Sequence, residues 1–165
     1  VTAWKDGGRR DLDRFLSEAM ERAATTIGPA LTQLPGPLMI ACVPSRPGAA
    51  RRRGRDLPRL LTGAAAAGLA AVGLEATDGS RVLALSRGEQ RGSSARRRWQ
   101  GMRQSLTVRA PVAGRTILIV DDVMTTGASL AGVAEALERA GAAVPAALVL
   151  AVAEPARAKA ATGLG

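Results

Sequence analysis

The sequence has 165 residues, 47% of them apolar and only three aromatic, and carries a net charge of +9 at neutral pH. That length suits one domain, residues 1–165, with a full hydrophobic core, and the apolar content excludes an intrinsically disordered chain. No apolar run reaches membrane-spanning length and no signal peptide is visible, so the cytoplasm is the expected location; the single Cys42 excludes an internal disulfide or a cysteine zinc cluster within these residues.

Residues 1–37 read as an N-terminal helical or hood segment. Within it, Leu12, Phe15, Leu16, Ala19, Met20, Ala23 and Ile27 recur at helical spacing and predict a helix over 11–27, with Asp11 as its N-cap and Gly28-Pro29 as its stop. A core over 38–152 follows. LMIACV (38–43) predicts a buried strand, broken by Pro44-Ser45-Arg46-Pro47-Gly48. The Ala- and Leu-rich residues 56–74 predict a helix that Gly63 and Gly68 weaken, and RVLAL (81–85) predicts a second short strand. Residues 86–106 are polar and basic and read as a long exposed loop, of a length usually found in functional lids or disordered segments. TILIV (116–120) predicts the third strand, Gly127 to Ala140 an amphipathic helix stopped by Gly141, and VPAALVLAV (144–152) the fourth strand. Strands alternating with helices predict an α/β fold, a mainly parallel twisted sheet flanked by helices. Ligands bind such sheets at the carboxyl ends of the strands.

The positive charge is concentrated. Residues 46–59 hold six Arg against one Asp, and residues 86–109 hold seven Arg against one Glu. Coding bias accounts for Arg over Lys but not for this clustering, which points to an anionic ligand: phosphates, pyrophosphate or nucleic acid. With so few aromatic residues, stacking on single-stranded nucleic acid is poorly supported, whereas contact with a duplex backbone stays open.

The run ILIVDDVMTTGASL (117–130) carries the most specific chemistry. Thr125, Thr126, Gly127, Ala128 and Ser129 lie where a helix begins, so outward-pointing backbone N–H groups, hydroxyls and small residues make a phosphate cradle. Asp121 and Asp122 cannot bind that phosphate. They suit neutral hydroxyls, or a hydrated Mg²⁺ held through water. A phosphate close to a vicinal diol satisfies both halves, and ribose 5-phosphate has both. An acidic pocket of the response-regulator kind fits less well, because the acidic pair falls late in the chain and no Lys follows until Lys159.

ILIVDDVMTTGAS resembles, at every position, the thirteen-residue signature of type I phosphoribosyltransferases. VPSRPGAARRRGRDLPRLL and GRTILIVDDVMTTGASL are similar to the ComF-type, competence-associated branch, over most of residues 38–152. The resemblance implies binding of phosphoribosyl pyrophosphate with Mg²⁺ and transfer of phosphoribose to a nitrogenous acceptor. Asp121 and Asp122 would hold the ribose hydroxyls and order the metal, and 125–129 would hold the 5-phosphate. Ser45 and Arg46 would contact pyrophosphate, with a strained or cis peptide between them. Residues 86–106 would close as a flexible loop, with Arg87 and Arg91 among its contacts. A homodimer is a further expectation, and the alternative function is a non-catalytic protein of this fold acting in DNA uptake or nucleotide-linked regulation.

Several departures qualify that picture. Thr125 stands where purine salvage enzymes carry an acidic base, and the chain has no His at all. The cover loop has no Lys, and Trp99 stands where the branch often has Asn. The zinc ribbon usual before the branch's core is not among these residues, and the chain begins at Val1 rather than Met.

Overall fold

The computed structural model describes Trp4 and residues 9–45, 47–85 and 106–153. The first helix is entered by a 3-10 turn, Arg10–Leu12, and becomes α1, Asp13–Leu31. Leu16, Met20, Ala24 and Leu31 of α1 are buried. Asp11 does not cap it: Leu12 holds the cap position without a side-chain bond, and Asp11 pairs with Arg9 at 2.6 Å. Gly28-Pro29 does not stop it either. Proline lacks a donor but has a helical φ, and one further turn buries Leu31 against the core. Phe15 is 60% exposed and stands off the apolar face.

Strand β1, Leu38–Cys42, matches its expectation, and Cys42 is buried. Between it and the next long helix lies a short helix that the sequence pattern did not predict, α2, Ala49–Arg53. Helix α3, Leu57–Ala70, begins where Asp56 accepts the Arg59 N–H at 3.3 Å, with Pro58 in its first turn. The Thr25 hydroxyl of α1 donates to the Gly68 carbonyl of α3, while Asp13 at the head of α1 meets Arg55 just before α3. The two helices therefore run parallel, heads together. Gly68 permits their contact, since a Cβ there would sit 2.1 Å from the Glu21 carbonyl.

The main sheet contains β2 (Thr77–Gly79), β1, β5 (Thr116–Met124) and β6 (Ala143–Val152) in that order, all parallel. This is the expected α/β architecture, with two corrections. RVLAL does not join the sheet: only Leu83–Leu85 form a strand, β3, which pairs antiparallel with β4, Leu106–Val108. The sheet strand is instead TDG, whose residues carry no apolar run. It pairs because Gly79 lets the chain approach β1, where a Cβ would lie 2.7 Å from the Ile40 carbonyl. Leu106, read as the end of the long loop, belongs to β4; residues 86–105 lie outside the described residues.

Alternation along the strands assigns the two faces. Ile40, Cys42, Leu118 and Val120 pack with α1, α3 and the inner side of β6. Met39, Ala41, Ile117 and Ile119 pack with the β3–β4 hairpin and α4, Ala128–Arg139. No helix among the described residues is long and apolar enough to cross a membrane.

Candidate functional site

The expected end of the third strand at Val120 is wrong in an informative way. β1 accompanies β5 only as far as Val120, but β6 continues beside it, pairing Asp121 with Val149 and Met124 with Val152. The two aspartates thus sit within a strand that overshoots its neighbour, on the flank that β1 leaves open. They are not equivalent. Strand alternation places Asp122 on the α1–α3 face with Val120, where it is 3% exposed, whereas Asp121 falls on the α4 face and is half-buried. Each carboxylate folds onto the next backbone donor: Asp121 Oδ1 accepts the Asp122 N–H and Asp122 Oδ1 accepts the Val123 N–H, both at 2.9 Å.

Beyond Met124 the chain turns at exposed Thr125 and Thr126, and Gly127, at φ 72°, caps α4. A non-glycine residue would be strained there. Ala128 and Ser129 already belong to the helix. The Ala128 N–H is 3.4 Å from the Thr126 hydroxyl, a long bond that an incoming anion can replace. All five residues of the expected phosphate cradle are therefore together at one helix head.

Beyond the ends of β1 and β2 lies a cleft of ≈ 350 Å³. Pro44, Ser45, Pro47 and Gly48 form one wall, Asp56 and Pro58 another, and Ser80, Arg81 and Arg109 a third. Ser45 was expected here. Arg46, the Ser45–Arg46 peptide, Arg87 and Arg91 lie outside the described residues. Arg81 and Arg109 are what sequence reasoning missed: they flank the hairpin, and pairing of Leu83 with Val108 brings them together. Among the described lining side chains only Asp56 is acidic. Arg52 leans over the same loop, its Nη1 3.3 Å from where a Gly48 Cβ would stand.

A family model described as the phosphoribosyl transferase domain matches residues 65–162, more than half of the sequence. The chain belongs to this family. Solved phosphoribosyltransferases share the fold: HGPRT-ase from Leishmania tarentolae, in complex with GMP, superposes with a TM-score of 0.53 at 17% identity, covering 85% of this chain and 67% of that one. Hypoxanthine phosphoribosyl transferase of Trypanosoma cruzi gives 0.54 at 12% identity, covering 87% and 76%. Among curated proteins, DNA utilization protein YhgH of Escherichia coli K12 is 46% identical over 50 residues, 30% of this chain and 22% of that protein. The match therefore spans less than a quarter of the curated relative's length.

One support of the cleft wall at Ser80 titrates. Asp78 of β2 accepts the Ser80 N–H at 2.8 Å, the Ser80 hydroxyl at 3.2 Å and the buried Thr62 hydroxyl at 3.1 Å. Burial pushes its carboxyl up, but these bonds and the nearby charge of Arg59 outweigh that and hold it below the usual carboxylate value. A lowered folded value means the unfolded chain binds the proton more readily. The stabilisation is complete above the unfolded carboxylate value and disappears as pH falls through the folded one. As pH falls below about 5, wild-type melting temperature is thus expected to fall more steeply than that of Asp78→Asn. Parallel thermal-melt profiles of the two proteins would show that Asp78 carries no such stabilisation.

Proposed function

We propose that the chain binds phosphoribosyl pyrophosphate with Mg²⁺ along the carboxyl edge of the sheet and transfers its phosphoribose to a nitrogenous acceptor, releasing pyrophosphate. The observation that carries this reading is the adjacency of three features: a phosphate cradle at the head of α4, two carboxylates on the overshooting end of β5, and a cationic cleft beyond β1 and β2. The 5-phosphate sits at residues 125–129, where backbone N–H groups and the helix dipole favour an anion. The ribose hydroxyls donate to Asp121 and Asp122. The pyrophosphate lies in the cleft against Ser45, Arg81 and Arg109, with Arg46, and with Arg87 and Arg91 from the covering loop.

Among the described residues no three His, Cys, Asp or Glu side chains gather into a metal-ligand cluster. Carboxylates beside ligand hydroxyls, with the half-buried Asp121 the more accessible to water, suit Mg²⁺, which ordinarily keeps several waters and shares its ligands with substrate phosphates. When bound, Mg²⁺ would neutralise part of the pyrophosphate charge.

As the bond from the anomeric carbon to pyrophosphate oxygen breaks, electrons move to the pyrophosphate and the acceptor nitrogen forms the new bond. Arginines beside the leaving group stabilise that charge electrostatically. Asp121, Asp122 and the cradle hold the sugar in place, which makes the displacement effectively intramolecular. Thr125 supplies no base, which favours an acceptor whose nitrogen is nucleophilic without one.

Calorimetry with phosphoribosyl pyrophosphate and Mg²⁺ should show binding, and pyrophosphate release should appear with one member of a panel of nitrogenous bases. Absence of binding would overturn the reading. Binding without release across the panel would favour a ligand-sensing protein of the same fold.

A second reading has its own support. Arg81 and Arg109 line the cleft and Arg52 leans over its loop, and among the described residues none of the three forms an ion pair, whereas Arg9, Arg14, Arg22, Arg55 and Arg139 each meet a carboxylate. A rim of uncompensated guanidinium groups suits a nucleic-acid backbone, in line with the name of the YhgH relative. Duplex affinity that falls steeply with salt would support it, and a flat salt profile would exclude it.

A further inference from the structure

The N-terminal segment is tied to the back of the cleft. Trp4 is fully buried, its indole N–H donates to the Asp13 carboxylate, and the Arg55 guanidinium lies 5.3 Å from its ring centroid. The same guanidinium donates one arm to Asp13 and the other to the Trp4 carbonyl. Arg10 adds a second tie, donating to the Arg53 carbonyl at 3.1 Å. Both ties land on the joint between α2 and α3.

The far side of that joint is the cleft wall, formed by Gly48, Ala50, Asp56 and Pro58. Helix α2 has five residues and is bounded by two glycines in the left-handed region, Gly48 at φ 78° and Gly54 at φ 66°. So short a helix, hinged at both ends by the most permissive residue, has little stiffness of its own. A second cavity, of ≈ 250 Å³, opens beside the joint between Asp13, Arg55, Asp56 and Leu57 and gives it room to shift. The Arg55 side chain is 12% exposed, which limits solvent screening of its pairing.

We propose that Arg55 is a positioning residue. It clamps the α2–α3 joint to Trp4 and Asp13, and so sets the cleft wall that faces the pyrophosphate without touching the ligand. The inference rests on the assignment of the cleft to pyrophosphate made above. It separates Arg55 from Arg81 and Arg109: they line the cleft, while Arg55 meets Asp13 and Trp4 and holds the wall opposite.

The test is calorimetry on the full chain with inorganic pyrophosphate and, separately, ribose 5-phosphate, each with Mg²⁺. Arg55→Ala should weaken pyrophosphate binding by at least about fivefold and leave ribose 5-phosphate within about twofold, because the cradle at α4 shares no tie with the clamp. Arg55→Lys should not restore the affinity, since an ammonium cannot span both acceptors as the guanidinium fork does. Where Arg55→Ala does not fold, Asp13→Asn carries the same comparison and should shift pyrophosphate in the same direction. Equal weakening of both ligands would mean general loosening and would overturn the proposal, as would unchanged pyrophosphate affinity or full rescue by Lys. A wild-type chain that binds ribose 5-phosphate but no pyrophosphate would overturn the cleft assignment and the clamp together; wild-type binding of both, unaltered in the variants, would overturn the clamp alone.

Discussion

The double substitution Asp121→Asn with Asp122→Asn should weaken phosphoribosyl pyrophosphate binding by about 100-fold or more, because two charge-assisted hydrogen bonds to the sugar are lost, each contributing roughly 1.5–3 kcal/mol. Asparagine keeps the shape and one acceptor oxygen at each position, so the internal bonds to the Asp122 and Val123 N–H groups can persist. The loss should therefore appear in calorimetry while the thermal melt changes little. The single substitutions should differ. Asp121, half-buried, is the more accessible of the two, whereas Asp122 at 3% exposure also supports the strand. Unchanged affinity in the double variant would show that the ligand is read elsewhere.

Trp4→Ala should have the largest effect on stability. Removing a fully buried aromatic side chain typically costs about 3–5 kcal/mol, through lost transfer energy and the cavity left behind. Here the change also takes a donor from Asp13 and the ring from beneath the Arg55 guanidinium. Urea denaturation should show the full shift in midpoint without a change in slope. A loss below about 1 kcal/mol would mean that the N-terminal segment does not dock on the core in solution.

Much of the fold was legible because its signals are local. Apolar spacing found α1 and α4, and short apolar runs found β1, β5 and β6. The failures share a cause: a boundary or a pairing was decided by a distant partner. α1 runs past Pro29 because the core accepts Leu31, and β5 runs past Val120 because β6 continues beside it. TDG becomes a strand because β1 offers an edge that Gly79 can approach, although nothing in those residues favours extension.

The site divides in the same way. By itself the sequence determined the family signature and that residues 125–129 sit at a helix head beside the two carboxylates, because these lie in one contiguous strand–turn–helix run where spacing in sequence is spacing in space. Only the tertiary structure decided that Asp121 and Asp122 occupy opposite faces of an overshooting strand, that Arg81 and Arg109 meet across a hairpin, and that Arg55 turns away from the cleft toward Trp4. Each of these depends on pairing between segments remote in sequence. Such pairing is set by which surfaces can be buried together, and no local pattern of residues records it.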